Sequence, residues 1–332
     1  MNISNSTHCD QVQTSGHIFF IVTYSLLFLV GLLLNGFTMK VYFCGFRQPS
    51  PSSVTVYLKN LVAADFLISL CLPLRIINFA SSSLPVRQAY CKFGSSAFYL
   101  NMYASILFMG YIAANRYLKI VHPQGTHILQ TVKASHIIST STWSFLLTMM
   151  VTYITLSVLS EKSVSSFPAT VSCEVLHSHV LNLFYKIIHA CSAAIFLLVF
   201  FSLIFFYYST SHRLSLVQER QPASSSSKKL IKSRRNMLVL VTVFCVCFVP
   251  YHVVRLPYAF LSTRCSFGQV FFYLKEVTVM VSTLNICLDP LIYFIFCRAF
   301  RAQFRMRRTF SRSGKKSEEA VTVRAETNTD ML

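Results

Sequence analysis

The chain has 332 residues, of which 54% are hydrophobic and 12% are charged. Soluble domains carry about 25% charged residues, so this chain has too little polar surface for a water-facing globule, and lipid is its expected solvent. A net charge of +19 is also typical of nucleic-acid-binding proteins, but 30 phenylalanines and long uncharged runs argue against such a surface. We therefore expect no nucleic-acid partner.

Seven stretches are long and apolar enough to cross about 30 Å of hydrocarbon as helices, which takes about 20 residues each. Lipid offers no partner for unpaired backbone groups, and the stretches are too long for barrel strands. In chain order they are residues 18–44, 54–80, 90–121, 134–159, 180–208, 236–261 and 270–296. The predicted fold is an all-α membrane protein, a seven-transmembrane helix bundle with a short amphipathic helix after span seven.

Polar segments flank this bundle. We expect residues 1–17 to form an extracellular N-terminus and residues 18–297 to form the transmembrane domain. Residues 298–310 are predicted to be an amphipathic helix on the membrane surface, and residues 311–332 a disordered cytoplasmic tail. Between spans five and six, Gln221 to Ser227 is predicted to be a flexible linker.

The distribution of Lys and Arg predicts the orientation. If the N-terminus lies outside, 22 of the 30 basic residues fall on the inner side or at inner helix ends. Basic residues concentrate on the cytoplasmic side of membrane proteins. We expect a multi-pass plasma-membrane protein with an extracellular N-terminus, a cytoplasmic C-terminus and an attraction to anionic inner-leaflet lipid.

Two glycosylation acceptor triplets precede the first span, at Asn2 and Asn5. Glycans are added only on an outer or lumenal face, which agrees with this orientation. After span seven, Cys297 and the basic amphipathic run that follows it are typical of palmitoylation. An unmodified thiol at the interface is the alternative.

Four of the eleven cysteines fall outside in this topology: Cys9, Cys91, Cys173 and Cys265. An even number in an oxidising space indicates two disulfides, for which the sequence alone permits three pairings. The other cysteines lie within spans or at the inner edge, where we expect packing residues and reduced thiols.

A few polar side chains lie deep within the spans, where charges are costly and usually functional. Asp65 and Asp289 are the deepest, and Asn35, Ser105 and Asn285 add oxygen atoms from the same spans and from two further ones. Among them, Asp65, Ser105, Asn285 and Asp289 form a candidate Na⁺ site. The alternative is a hydrogen-bonded network without an ion, and no other cofactor is expected.

Three prolines interrupt spans two, six and seven, at Pro73, Pro250 and Pro290. Each removes one backbone hydrogen bond, so these helices are expected to kink and to act as hinges. A bundle with hinges and a polar centre can change its shape.

A second polar group lies near the outer helix ends. It consists of Tyr99, Lys186, His252, Arg255, Tyr258, Lys275 and Glu276. Cations beside aromatic rings suit a ligand with an anionic head and a flat or apolar body, because Arg binds phosphate or carboxylate in a bidentate way. The alternative is that Arg255 and Lys275 only extend to the interface, or that Lys275 pairs with Glu276.

Six motifs at matching depths resemble the rhodopsin-like G-protein-coupled receptors over nearly the whole chain. They are Gly31 to Asn35, Leu61-Val62-Ala63-Ala64-Asp65, Asn115-Arg116-Tyr117, Trp143, Phe244 with Cys247-Phe248-Val249-Pro250, and Asp289-Pro290-Leu291-Ile292-Tyr293. The resemblance implies a disulfide between Cys91 and Cys173, a heterotrimeric G-protein partner, and arrestin and receptor kinases at the tail. It also implies an activation switch made of Asn115, Arg116, Tyr117, Tyr207, Phe244, Phe248, Pro250, Asp289, Pro290 and Tyr293.

Other segments are similar to the purinergic branch that contains the ADP and UDP-sugar receptors. They are Tyr57-Leu58-Lys59-Asn60, Phe98-Tyr99, Asn101-Met102-Tyr103, the run from Cys247 to Tyr258, Lys275-Glu276 and the run from Asn285 to Pro290. By that similarity Tyr99, Arg255, Tyr258 and Lys275 hold an extracellular nucleotide or nucleotide sugar, with His252 nearby. The similarity further implies a bridge between Cys9 and Cys265 and coupling to the inhibitory G-protein class.

Some positions depart from the family pattern. Asn115 stands where the family has an acid, so the ionic latch on Arg116 is replaced by at best a neutral hydrogen bond, which predicts raised resting activity or a different coupling. In the pocket region the departures are Thr152-Tyr153, Glu174, His177 and Tyr185. These changes weaken the case for a highly charged diphosphate but not the case for the fold.

The alternatives to a nucleotide receptor are a lysophospholipid receptor, a transporter and an enzyme. A lysophospholipid would place its phosphate on the same cations and its tail between apolar helices. A transporter would favour a repeat across the two halves and ionisable residues along a through-path, and the sequence shows neither. An enzyme is disfavoured because no nucleophile and base fall at a recognisable spacing.

Overall fold

The structure is a computed structural model that describes residues 14–43, 52–81, 83–121, 127–159, 173, 178–220, 225–261 and 268–296. Seven helical spans in this part of the chain are long and apolar enough to cross a membrane, which confirms the predicted bundle. Span one is Thr14–Phe43, span two Ser53–Ala80, span four Val132–Leu159, span five His179–Arg220 and span six Ser225–Leu261. Span three runs from Leu84–Ala89 through a π-helical turn, Tyr90–Gly94, into Ser95–Val121, and span seven consists of Gly268–Thr283 and Asn285–Phe296.

Several predicted features lie outside the described residues. They are the helix at 298–310, the tail at 311–332, the second bridge between Cys9 and Cys265, the sequons at Asn2 and Asn5, and Cys297. These remain expectations.

Three helices are longer than hydropathy predicts. Span five continues to Arg220, span six already begins at Ser225, and span three begins at Leu84. Hydropathy marks only the part of a helix that lies in hydrocarbon, whereas Leu, Gln, Glu, Lys and Arg keep a good helix propensity in water. The interpretation of Gln221 to Ser227 as a flexible linker is therefore wrong for its last three residues, which begin span six.

Spans one and seven are joined by a side-chain amide. Pro290 has no amide hydrogen, so the carbonyl of Ile286, four residues earlier, lacks its helical partner. Asn35 Nδ2 donates to that carbonyl at 2.8 Å and to the carbonyl of Gly31 at 3.0 Å. A Cβ on Gly31 would come within 2.5 Å of Ile286 Cδ1, so glycine permits this close approach.

Span seven is interrupted at Leu284, six residues before the proline at which a hinge was predicted. The amide of Leu284 donates to Val281 at 3.1 Å, one residue closer than in an α-helix, and the helix resumes at Asn285. Just before the interruption, the hydroxyl of Thr283 donates to the carbonyl of Val279 at 2.8 Å. Such hydroxyl bonds compete with the helical ladder and favour a bend.

We predict that Asn35→Leu lowers the melting temperature of the purified protein in nanodiscs. The substitution leaves the buried carbonyl of Ile286 without a donor, which costs about 1–3 kcal/mol. Asn182→Leu is the matched control, because Asn182 is exposed on span five. Equal melting temperatures for the two variants would contradict the role of Asn35.

Candidate functional site

One end of the bundle carries a disulfide. Cys91, in the π-helical turn of span three, is bonded to Cys173 with a Cα–Cα distance of 5.5 Å. The bond confirms the first of the two bridges that the resemblance implied. We call this end the disulfide end, and the opposite end, which carries Arg116, the arginine end.

A cavity opens at the disulfide end and encloses about 1400 Å³, counting the part open to solvent. Its described lining contains four cationic side chains, Arg75, Arg87, Arg255 and Lys275, and one carboxylate, Glu276. Tyrosines, methionines and two phenylalanines form much of the remaining wall. An excess of cations beside aromatic rings can bind an anion that has a flat or apolar body.

Arg255 is 6% exposed and is positioned by two residues of span five. Its guanidinium donates to the hydroxyl of Tyr185 and, through Nε, to Nε2 of His189 at 3.1 Å. The other ring nitrogen of His189 lies 2.9 Å from the carbonyl of Tyr185. His189 therefore accepts at Nε2 and donates at Nδ1, which only the neutral imidazole can do.

The predicted contribution of Lys186 is not supported by its position. Tyr185 and His189 are four residues apart and share the helix face that reaches the cavity. Lys186 is turned about 100° from Tyr185 around the helix, because one turn takes 3.6 residues. Its side chain is exposed and does not line the cavity.

A buried ionic cluster forms another part of the cavity wall. The guanidinium of Arg75, in span two, forms a salt bridge with Glu276 of span seven and donates to the hydroxyl of Tyr90 at 2.6 Å. The ring of Tyr24 lies 4.9 Å from the same guanidinium. Lys275 also contacts Glu276, at 2.9 Å, so the pairing that was weighed as an alternative is present, although Lys275 lines the cavity as well.

Arg75 was absent from the predicted site. The one indication in the sequence was an arginine within an apolar span. It was not enough, because a long basic side chain near a helix end usually extends to the membrane interface. Its acidic partner is 201 residues away in sequence, so no local spacing could reveal the pair. His189 was missed for a similar reason, since it carries meaning only beside Arg255 of another span.

His252 lies next to the cavity and not on its wall. It is 3% exposed, its Nδ1 lies 2.8 Å from the carbonyl of Phe248, and its Nε2 lies 3.1 Å from the hydroxyl of Tyr103. Its ring stacks on Phe196 of span five at 3.8 Å. Tyr99 lines the cavity as predicted, and the side chain of Tyr258 lies outside the described residues.

The predicted polar centre is assembled around Asp65. Three side chains donate to its carboxylate: Ser105 Oγ at 3.2 Å, Asn285 Nδ2 at 3.4 Å and the hydroxyl of Tyr293. Asp289 lies four residues from both Asn285 and Tyr293, so it shares the helix face that meets Asp65, and both its oxygens are buried without a hydrogen-bond donor among the described residues. Two adjacent buried carboxylates need a shared proton or a cation, because both cannot stay ionised side by side.

At the arginine end, the two polar residues of the Asn115-Arg116-Tyr117 motif bond to different elements. Asn115 Nδ2 donates to Ser53 Oγ of span two at 2.8 Å and to the carbonyl of Leu129 at 3.5 Å. Arg116 donates to the carbonyl of Phe296 at 3.4 Å and lies 4.8 Å from its ring. The neutral bond expected between Asn115 and Arg116 is thus replaced by bonds to neighbouring elements.

The other predicted switch residues lie along the interior. Phe244 and Phe248 are fully buried in span six, and Pro250 follows in the same helix. Tyr117 stacks on Phe206 of span five at 4.9 Å, next to the half-buried Tyr207. These residues occupy the region between the cavity and the arginine end.

Comparisons with known proteins agree with this architecture. Residues 34–293 match the family model described as 7 transmembrane receptor (rhodopsin family). The chain is 38% identical over 286 residues to purinoceptor 14 of Bos taurus, covering 84% of this chain and 82% of the relative. It is 29% identical over 322 residues to purinoceptor 13 of Rattus norvegicus, covering 95% and 93%. It is 31% identical over 314 residues to G-protein coupled receptor 87 of Mus musculus, covering 93% and 83%.

Family membership also fixes the coarse biology. Receptors of this family are multi-pass plasma-membrane proteins that respond to extracellular ligands and signal through G proteins, and they are not enzymes. The seven spans, the disulfide at the head of span three and the match over residues 34–293 lead to one conclusion. The chain belongs to the rhodopsin-like G-protein-coupled receptors, within their purinergic branch.

Proposed function

We propose that this receptor binds an extracellular nucleotide or nucleotide sugar in the cavity at the disulfide end. The observation that carries the proposal is the set of four cations and one carboxylate among the described lining residues. Phosphate groups would bind at Arg255, while the base or sugar packs on aromatic rings such as that of Tyr99. The relatives named purinoceptors support the same ligand class.

The proposal includes the orientation of the chain. Disulfides persist in oxidising compartments, so the disulfide end is placed outside the cell. The arginine end then faces the cytoplasm, where the G protein, of the inhibitory class by family likeness, binds. Arrestin and receptor kinases act at the tail in the same compartment.

A column of side chains on one face of span six connects the ligand cavity to the interior of the bundle. Arg255, His252, Phe248 and Phe244 follow one another at intervals of three or four residues, so they share a helix face. Arg255 is bonded to span five, and His252 is bonded to Tyr103 of span three. A ligand that draws Arg255 away from span five changes contacts along this column, which is the differential binding that a shape change requires.

We predict that Arg255→Gln lowers the potency of a nucleotide agonist applied to intact cells by about 30-fold or more, since a buried charge-assisted bond is worth about 2 kcal/mol or more. Lys186→Gln removes the same charge outside the cavity and should leave potency unchanged. The readout is inhibition of cyclic AMP formation, with surface expression measured in parallel.

The same assay tests the ligand class and the orientation. A response to nucleotides on intact cells requires a cavity that opens outward. Equal potency at both variants would reject the site, and a response to lysophospholipids but not to nucleotides or nucleotide sugars would reject the ligand class.

We further propose that a Na⁺ ion binds at the polar centre. The donor set is suited to it, because two carboxylates, a hydroxyl and an amide oxygen are hard oxygen ligands. The oxygens of Asp289 and Oδ1 of Asn285 are buried without a hydrogen-bond partner among the described residues. A bound Na⁺ would offset one of the two negative charges that Asp65 and Asp289 carry when both are ionised, and it would hold spans two, three and seven together.

We predict that Na⁺ raises the melting temperature of the purified receptor relative to K⁺ or choline by a few degrees. A ligand present at 100 times its dissociation constant stabilises the fold by about 2.7 kcal/mol. Asp65→Asn should abolish the difference between the salts. Identical melting temperatures in all three salts would reject the Na⁺ site, and a proton shared by Asp65 and Asp289 would then explain the paired carboxylates.

We predict that Asn115→Asp lowers ligand-free signalling. A carboxylate next to Arg116 adds a charge-assisted bond, and about 1 kcal/mol in favour of the resting shape lowers the active fraction roughly fivefold. The measurement is agonist-free nucleotide exchange on purified G protein. Gln130→Glu is the control, since it adds an acid at the same end outside the motif. Unchanged or increased signalling in Asn115→Asp would refute the latch.

A further inference from the structure

Three cations of span six form a line on its outer side at the arginine end. Lys228, Lys232 and Arg235 are spaced i, i+4, i+7, and each is exposed. Met237 lies on the opposite side of the helix, where it is buried and contacts Thr210 of span five at 3.4 Å. The three side chains therefore point away from the bundle, and we call them the basic stripe.

The basic stripe continues a face of span six that meets lipid. Val246 and Val253 follow Arg235 by 11 and 18 residues, which brings them to nearly the same angle around the helix. They are 48% and 64% exposed, and exposed apolar side chains within a span contact lipid tails. One outer face thus changes from apolar to basic along its length.

The change is expected at the depth of the lipid headgroups, because it falls at the start of the apolar stretch 236–261, which is long enough to cross the hydrocarbon. At 1.5 Å per residue the basic stripe is about 10 Å long, similar to the headgroup layer of about 5–8 Å on each side of the hydrocarbon. The geometry is that of a surface that meets headgroups while the helix below it meets tails.

Charge complementarity selects the kind of lipid. Residues 225–261 contain no Asp or Glu, and Glu219 is the one carboxylate at this end among the described residues. Zwitterionic headgroups would leave three cations uncompensated. Anionic headgroups would bind them, and those with several phosphates could contact all three at once.

We propose that the basic stripe binds the headgroup of an anionic phospholipid, with polyphosphorylated inositol lipids binding most tightly. The bound lipid contacts span six beyond its hydrocarbon part and restrains the end of the helix that a shape change must move. This site is separate from the cavity and from the polar centre, and it does not depend on the identity of the agonist.

Native mass spectrometry of the full-length receptor tests the proposal. The receptor is equilibrated in phosphatidylcholine nanodiscs that contain phosphatidylinositol 4,5-bisphosphate, and the retained anionic lipid is counted. The variant Lys228→Gln/Lys232→Gln/Arg235→Gln should retain at least about tenfold less, because each cation near the surface contributes on the order of a fivefold factor in binding. Single substitutions should give intermediate losses.

The matched control removes the same charge at the same end, away from the basic stripe. Lys133, Arg213 and Arg220 are exposed on spans four and five, and their triple Gln variant should retain the lipid. If both triple variants lost the lipid equally, the effect would be a general electrostatic attraction and the proposal would be overturned. Retention of the lipid by the stripe variant would overturn it as well. Tight binding of soluble inositol trisphosphate to the receptor in pure phosphatidylcholine would assign the site to a free phosphate instead. Loss of G-protein binding by the stripe variant in lipid-free detergent would assign it to an acidic protein.

Discussion

Hydrocarbon offers no hydrogen-bond partners, and this constraint determines the polar interior of the bundle. A polar group between the spans therefore needs a partner from the chain itself, or a bound ion or water. Asn35 supplies the donor that Pro290 cannot give to Ile286. The guanidinium of Arg75 is surrounded by a carboxylate, a hydroxyl and aromatic rings, because a bare cation would be too costly there. Contacts that satisfy single polar groups are thus also the contacts that fix neighbouring spans to one another.

Two of the arginines that line the cavity are positioned by different chemistry. Arg75 is bound to Glu276, so its charge mainly joins span two to span seven. Arg255 is positioned by a phenol and an imidazole of span five. A buried ion pair resists separation more strongly than a charge bonded to neutral groups. Within one cavity, the Arg75 side is therefore the more rigid, and the Arg255 side can exchange partners more readily.

The sequence predicted the features that depend on composition and on local spacing. Seven apolar runs predicted seven spans, and the depth of Asp65 and Asp289 predicted a shared polar centre, because burial in lipid leaves a strong compositional signal. The sequence did not predict contacts that depend on how one helix is rotated relative to another. Lys186 was assigned to the cavity although its neighbour Tyr185 occupies the inward face, and Arg75 was passed over although Glu276 was named.

Asn115 shows the same limit of sequence-based prediction at the arginine end. The resemblance to the receptor family showed from the sequence alone that Asn115 stands where an acid is expected beside Arg116. The sequence could not show the hydrogen-bond partners. The amide of Asn115 bonds to Ser53 of span two, and the guanidinium of Arg116 bonds to the end of span seven. Sequence reasoning identified the altered residue and the structure identified its new partners.

The interruption at Leu284 divides span seven into two rods with separate attachments. The rod nearer the cavity is tied to span two through Glu276 and Arg75, and the rod nearer the arginine end is tied to span one through Ile286 and Asn35. A tilt of the rod nearer the cavity, here the upper rod, need not rotate the rod nearer the arginine end, the lower rod, because a single non-helical residue separates them. Pressure from a bound molecule can therefore be absorbed at this joint, while the lower rod keeps Tyr293 docked on Asp65.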